Sequence, residues 1–522
     1  MNVGLAFTRN AARTPDAPAL IGVGADENGE GGHDVTYAEL DERTNRLANA
    51  LISERGIEPG DRVALLIANR PEVVEVLGGV TKAGAVYVGL NFRLGDVEMS
   101  QVFENAEPSL VLCDTEHLEA ANKVGAEHDV PVLDIDTAAY ADLVAASSPL
   151  APPTLHTTRH TDDFCIVYTS GTTGRPKGVL FDHARSLQHA TVACLEYQID
   201  ADSRYLIQIP HNSSVNITIV PCLMIGASMA FRDSRSFEPV GYAKAVDHLG
   251  ITHSFLVPTQ LMRLLDRLPR TDDHLLSGLV TLGYGSSPIS PERLGELVDR
   301  YGAIFNQLYG MAEIASIGTI LRKEDHVKGL SERRELLGSC GQPSYAVDVR
   351  VVDEDGDDVA QGERGEVIFG GPHVMKGYYR DPERTGEALI DGWMHSGDVA
   401  EVDAEGFIYI VDRIKNLIIR GGLNIAPTEI ENVLYRHPAV LEASVIGIPD
   451  PEWGEAILAA VSLKDGAEAT AEELIGWCKE SELTSIKVPE RVEFLDELPK
   501  NAVGKIEKKT LKDAYWGEGR RV

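Results

Sequence analysis

Residues 168–178 read YTSGTTGRPKG, a run whose residue types suit one task. Thr169, Ser170, Thr172 and Thr173 supply hydroxyls, Gly171 and Gly174 carry no side chain, and Lys177 closes the run. Glycine lets a backbone approach a bulky anion, and hydroxyls and free N–H groups hydrogen-bond phosphate oxygens. The lysine adds a full positive charge, so the run predicts a loop that holds a polyphosphate. It is not a Walker A loop. That motif sets Lys and Ser/Thr directly after a glycine and opens a helix there, whereas Pro176 precedes Lys177 and Gly178 follows it. Glycine, serine and threonine also crowd plain surface turns, but a stretch this long ending on one cation fits that reading poorly.

Further runs follow in order: Gly285-Ser286-Ser287-Pro288, Tyr309-Gly310-Met311-Ala312-Glu313, and Trp393-Met394-His395-Ser396-Gly397-Asp398. Then come Asp412-Arg413-x-Lys415, Gly421-Gly422-x-Asn424, and Gly504-Lys505 within PKNAVGKI at 499–506. Together with 168–178 they resemble the signature motifs of the adenylate-forming superfamily, which holds acyl- and aryl-CoA synthetases, adenylation domains of peptide synthetases and firefly luciferase. The resemblance spans 36–508, nearly the whole chain.

The resemblance implies an acid activated by ATP to an acyl-adenylate with loss of pyrophosphate, then transferred to CoA with release of AMP. Two anions must meet in the first step, so cations and oriented dipoles are needed where the charges converge. It implies that the 169–174 loop and Lys177 hold the phosphates, with Thr172 in the catalytic set. Tyr309 would stack on adenine beside Gly310 and Met311, and Gly285, Ser286 and Ser287 would flank the base. Glu313 would help hold Mg²⁺. Asp398 would accept hydrogen bonds from both ribose hydroxyls, as two carboxylate oxygens can, with Arg413 on ribose or phosphate. Asp412 would be the pivot of a mobile C-terminal lid. Gly421 and Gly422 would line the thiol's tunnel after the lid turns, and Lys505 would bridge the substrate carboxylate and the α-phosphate. Lys508 and Lys509 read as a solvated face. His211, in IPHNSS, stands where the family places a gating residue beside the acyl pocket.

Two departures from the family pattern leave the acceptor open. Ala312 replaces a threonine whose hydroxyl contacts phosphate, and Asn212, Ser213, Ser214 and Asn216 make the pocket mouth more polar than usual. Ser396 for threonine keeps its hydroxyl. An amine, an inorganic nucleophile or a separate carrier protein could therefore replace CoA, although no fused carrier domain is recognisable. A catalytically silent nucleotide-binding relative would not be expected to keep Lys177, Glu313, Asp398, Arg413 and Lys505 together. The acyl pocket is expected from 205–219, 255–261, 282–286 and 306–317, and its polar mouth favours a short, aromatic or functionalised acid.

The elements that must position these residues are legible from periodicity. Thr36 and Glu39 form a T-x-x-E capping box ahead of Leu40, Leu47 and Leu51 on one helical face. Runs at 62–68 (RVALLIA) and 85–90 (AVYVGL) read as buried strands around a helix starting at Pro71, and 22–32 reads as a loop between strands. This alternation predicts an α/β fold: a large N-terminal domain, 1–411, of helix-covered mixed and parallel sheets. Past the hinge, 412–522 predicts a small mobile α+β domain. Its strands are expected at 416–420, 443–448, 456–463 and near 492, and its helices near Pro427 and Ala471.

With 522 residues the chain exceeds what one hydrophobic core supports. Its formal net charge of −33 argues against a nucleic-acid or anionic-membrane surface. A salt-adapted source would produce the same acidity. The six cysteines lack CxxC or metal spacing and fit buried thiols in a reducing cytoplasm. No signal peptide, membrane span or peroxisomal address is recognisable. The assembly, a homodimer included, is left open.

Overall fold

The computed structural model describes every residue except 170–174, 234, 465, 482, 501–505 and 517–522. The chain divides into two compact units: Met1–Val349 with Ile368–His395, and Arg350–Val367 with Ser396–Val522.

The first unit is built on two sheets whose middles are parallel. In the nine-stranded sheet, Phe305–Tyr309, Thr281–Tyr284, His253–Leu256, Arg204–Ile207, Ser228–Phe231 and Pro18–Val23 run parallel, with antiparallel strands at both edges. In the seven-stranded sheet, Asp163–Thr169, Val86–Gly89, Arg62–Leu66, Leu110–Cys113 and Val132–Asp134 run parallel. Lys177–Asp182 and Gly377–Tyr378 extend that sheet antiparallel beyond Asp163–Thr169. Parallel strands need crossovers and bury both faces, which is why these segments are continuous apolar runs. Val63, Ala64, Leu65 and Leu66 are all fully buried.

Local signals set the helix ends. Thr36 Oγ1 accepts from Glu39 N–H at 3.2 Å while Glu39 Oε2 accepts from Thr36 N–H at 2.8 Å, so the expected capping box opens Tyr37–Arg55. The helix expected from Pro71 spans Glu72–Lys82, and the acid-rich stretch 22–32 joins Pro18–Val23 to His33–Thr36.

The second unit, which takes in Arg350–Val367 and begins again at Ser396 rather than at 412, contains an α+β module. Hairpins Ile418–Arg420/Leu423–Ile425 and Val440–Asp450/Gly454–Leu463 form one sheet, to which Arg491–Phe494 adds in parallel. Alternation along the long strands covers both faces. Val445, Ile457, Ala459 and Val461 pack with Ile430 and Leu434 of Pro427–Tyr435 and with Leu474 of Ala471–Lys479. Ile446, Ile448, Leu458 and Ala460 face the opposite way, towards Leu511 and Tyr515 of Lys508–Trp516. Ahead of this module, Ile408–Arg413 runs antiparallel to Trp393–Val402, pairing Asp398 with Arg413 and Val399 with Asp412.

Candidate active site

In the first unit the motif residues gather where parallel strands end. Thr169 closes Asp163–Thr169, Gly285 follows Thr281–Tyr284, Tyr309 closes Phe305–Tyr309, and His211 lies just beyond Arg204–Ile207. The carboxyl ends of parallel strands are where α/β sheets bind ligands, because the loops there are free to diverge on a rigid base. Sequence spacing alone could not bring these runs together. The shared strand direction does.

Thr169 pairs with Lys177 and Tyr168 with Gly178 across the base of the hydroxyl-rich loop. Ser170, Gly171, Thr172, Thr173 and Gly174 lie outside the described residues. Lys177 leaves the loop with Nζ 4.8 Å from the centre of the Tyr378 ring. A Cβ on Gly178 would come within 3.0 Å of the Tyr168 ring, so glycine lets that tyrosine lie across the strand.

The Tyr309–Glu313 run is held by a tight reversal. Gly310 has no room for a side chain, since a Cβ would meet the Ser316 carbonyl oxygen at 2.3 Å. Ala315 and Ser316 take positive φ angles of 53° and 96° to bring the chain back. Tyr309 is half-buried, its ring 5.9 Å from that of Phe369. Met311, extended, leads into a single turn at Ala312–Ile314 that carries Glu313. Glu313 is buried, and its Oε1 accepts the Tyr378 hydroxyl proton at 2.7 Å. At Gly285 a Cβ would strike the Leu308 carbonyl oxygen at 2.6 Å. Ser286 follows with φ 74°, a left-handed conformation unusual for serine, and Ser287 continues the turn.

His211 is fully buried, and of its polar neighbours Asn212, Ser214 and Asn216 are buried while Ser213 is exposed. Its Nδ1 lies 2.9 Å from Tyr87 Oη, its backbone N–H donates to Asn69 Oδ1 at 2.8 Å, and Asn69 Nδ2 donates to the Ile209 carbonyl. Burial lowers its pKa to about 4, so the ring is neutral at pH 7. Nε2 takes no hydrogen bond among the described residues. The following Val215–Ile219 forms a π-helical turn, a distortion common at functional sites.

The second unit holds the remaining motif residues. Asp398, buried, pairs through Oδ1 with Arg413 Nε at 3.0 Å from the adjacent strand. Ser396 shapes the approach by donating to the Val367 carbonyl at 2.5 Å and accepting from Asp398 N–H at 3.0 Å. Asp412 is also buried. Its Oδ1 accepts from Arg413 N–H (2.7 Å) and Asn416 Nδ2 (3.3 Å), and its Oδ2 from the Thr428 N–H (3.0 Å) and hydroxyl (2.7 Å). Gly421 and Gly422 form the two-residue turn between Ile418–Arg420 and Leu423–Ile425 with φ 57° and 80°, the glycine-favouring hairpin type. A Cβ on Gly421 would also meet the Trp453 ring at 2.8 Å, so this glycine has a structural reason of its own.

Lys505 lies outside the described residues, though the chain bracketing it is pinned by a bridge between Lys500 and Ile506 and by Glu507 N–H on the Pro499 carbonyl. The expectation of a solvated Lys508 is corrected. Its ammonium sits 2.9 Å from Glu431 Oε1 with only 18% of the side chain exposed, because the Lys508–Trp516 helix lies against the sheet. Lys509 is exposed as expected. Tyr378, Tyr87 and Asn69 escaped sequence reading, since no spacing ties them to Glu313 or His211. Among the described residues no cluster of three or more His, Cys, Asp or Glu side chains has the arrangement of a metal site.

Motif residues at parallel strand ends, a buried acid and a lysine that both contact Tyr378, and a separate unit carrying an Asp–Arg pair are the parts expected of an adenylate-forming enzyme. The family model described as "AMP-binding enzyme" matches residues 7–379, and "AMP-binding enzyme C-terminal domain" matches 429–505. A feruloyl-CoA synthase of Amycolatopsis sp is 39% identical over 503 residues, covering 95% of this chain and 96% of that protein. ATP-bound MatB from Rhodopseudomonas palustris superposes with TM-score 0.87 at 29% identity, covering 99% of each chain. The amide bond synthetase McbA from Marinactinospora thermotolerans gives 0.86 at 31%, covering 98% of this chain and 99% of that one. The chain belongs to the AMP-binding enzyme family. Within it, the chain is an acyl-CoA synthetase, an AMP-forming acid–thiol ligase.

Proposed function

We propose that this ligase activates an aromatic or otherwise functionalised carboxylic acid, with ATP and Mg²⁺, and passes the acyl group to CoA. The acid's carboxylate attacks the α-phosphorus of ATP, and the bond to pyrophosphate breaks. Lys505, a cation at the point where two anions converge, offsets their repulsion. The 169–174 loop and Lys177 hold the departing phosphates, Thr172 among them. Gly285, Ser286, Ser287, Tyr309, Gly310 and Met311 border the adenine, and Asp398 with Arg413 takes the ribose. The Glu313 carboxylate fits Mg²⁺, an ion that binds through one or two carboxylates together with substrate phosphates rather than in an all-protein cage. When bound, the ion screens the charge of the phosphates.

The second half-reaction needs a different surface. Residues 412–522 turn about Asp412, withdrawing Lys505 and presenting the Gly421–Gly422 hairpin to CoA. The thiol sulfur forms the thioester bond, its proton is lost, and the acyl–phosphate bond breaks to release AMP. One lid serving two chemistries is the physical reason for a mobile unit. Asp412 is bonded to Asn416 and Thr428, so it would move with the residues after it.

The acid class is supported by the buried polar His211–Asn216 turn and by the feruloyl-CoA synthase relative, whose name specifies an aromatic acid. The observation that carries the whole reading is the 39% identity to that relative over 95% of this chain, and the occurrence of Lys177, Glu313, Asp398, Arg413 and Lys505 in the chain's own motifs supports it. The likeness to an amide bond synthetase gives an amine acceptor as the second reading, to which Ala312 also points. The buried free thiols and the absence, among the described residues, of any helix long and apolar enough to cross a membrane suit a cytoplasmic enzyme.

A pyrophosphate-release screen over acids of graded length and aromaticity, with and without CoA, tests this. Release with hydroxylated aryl acids, and thioester only with CoA, is expected. Amine-dependent, CoA-independent turnover would install the second reading, and silence with every acid would remove both.

A further inference from the structure

The backbone of residues 374–379 laces two parts of the phosphate-handling region together. Met375 N–H donates to the Glu313 carbonyl at 2.7 Å, Lys376 N–H to the Leu180 carbonyl at 2.8 Å, and Tyr379 N–H to the Gly178 carbonyl at 2.7 Å. Between the last two, Tyr378 pairs in register with Val179 on the strand that Lys177 begins. Its side chain then repeats the backbone's link. The hydroxyl donates to Glu313 Oε1 at 2.7 Å, and the ring face lies 4.8 Å beneath Lys177 Nζ.

We propose that Tyr378 is a positioning residue for the adenylation half-reaction, holding the Glu313 carboxylate and the Lys177 ammonium at a fixed spacing for magnesium-bound triphosphate. A lysine tethered over an aromatic face keeps its charge while losing some of its freedom. A carboxylate with one oxygen committed to a hydroxyl donor is fixed in rotation. The hydrogen bond from Tyr378 engages Oε1, and Glu313 Oε2 takes none from any described residue. A phenol hydroxyl is ordinarily protonated at neutral pH, so Tyr378 is the donor in this bond. A cleft of about 610 Å³ reaches Lys177 and Tyr378, its wall carrying Arg175 and Arg384 but also Glu104, Asp381, Glu383 and Glu387, with Glu313 behind Tyr378 and off that wall. A tyrosine that merely filled space would need neither the hydroxyl bond nor the lysine above its ring.

The proposal rests on the reading of Glu313 as the magnesium-holding acid, and the test separates the two. ATP is titrated calorimetrically into the full-length protein with and without Mg²⁺, for the parent, Tyr378→Phe, Tyr378→Leu and Glu313→Gln. Tyr378→Phe keeps the ring, so the fold and magnesium-free ATP affinity should stay within about twofold of the parent. The gain in ATP affinity on adding Mg²⁺ should shrink roughly tenfold, the scale of one hydrogen bond to a charged group. Tyr378→Leu should also lose about threefold in magnesium-free affinity as the lysine loses its ring. If Tyr378→Phe keeps the parent's magnesium gain while Glu313→Gln loses it, the proposal is wrong and the reading of Glu313 stands. A full magnesium gain in Glu313→Gln overturns both.

Discussion

Replacing Asp412 separates a pivot from an ordinary structural acid. Its carboxylate accepts from Arg413 N–H, Asn416 Nδ2, and the Thr428 N–H and hydroxyl, and it is buried. Asp412→Ala strands two backbone N–H groups, one of them in the first turn of Pro427–Tyr435. Each buried donor left without a partner costs about 1–3 kcal/mol. Water reaching the exposed side of the turn recovers part of that, giving a destabilisation of about 3 kcal/mol in all. Asp412→Asn keeps one acceptor oxygen and loses the charge, and should cost about half as much. Urea unfolding of the full chain, followed by Trp453 and Trp477 fluorescence in the second unit, reads both values. Function should split differently. ATP–pyrophosphate exchange in Asp412→Asn should stay within about threefold, while overall thioester formation falls about tenfold, a barrier change of ~1.4 kcal/mol. Equal losses in the two half-reactions would make Asp412 a structural acid only. An unchanged urea midpoint in Asp412→Ala would refute the hydrogen-bond accounting itself.

Other expectations can be checked as directly. Lys505→Ala should abolish acyl-adenylate formation yet leave thioester formation from supplied acyl-adenylate; a parallel loss of both would remove the lysine's assigned role. Asp398→Ala should weaken ATP binding by roughly tenfold to a hundredfold, the scale of one or two hydrogen bonds to a charged group, and equilibrium dialysis showing parent affinity would take it out of the ribose site. Gly310→Ala should destabilise the first unit and depress ATP binding together, because its Cβ would sit 2.3 Å from the Ser316 carbonyl oxygen; a parent-like melting curve would show that the turn relaxes. Burial lowers the pKa of His183, His211 and His373 to about 4 and of His189 to about 3. Unfolded, these rings protonate near pH 6.5, so below that pH the unfolded chain binds more protons and the stability they contribute drains away towards pH 4. Urea midpoints should therefore fall between pH 6.5 and 5, above most carboxylate titration, and fall less steeply in His189→Gln; a flat midpoint would contradict the neutral buried rings.

What the sequence determined by itself was local or additive. Periodicity placed the strands at 62–68 and 85–90, the helix after Pro71 and most of the C-terminal module, because strand and helix repeats are written in neighbouring residues. The Thr36–Glu39 capping box is likewise short-range chemistry. The motifs singled out Glu313, Asp398, Arg413 and the hairpin glycines as candidates, and the Asp398–Arg413 pair and the Gly421–Gly422 turn are structural facts. Chain contacts between distant segments decided the rest. Tyr378 reaches Glu313 and Lys177 only because a short antiparallel strand seats it beside Lys177–Asp182. His211 is buried with Asn69 and Tyr87, both far from it in sequence, bonded to its backbone and ring. Lys82, the last residue of Glu72–Lys82, lies fully buried with its ammonium on Asp41 and Asn45. Lys508 looked solvated and proves paired with Glu431 once its helix meets the sheet. A side chain's burial and its partners depend on what the rest of the chain brings to it, and no window of neighbouring residues contains that.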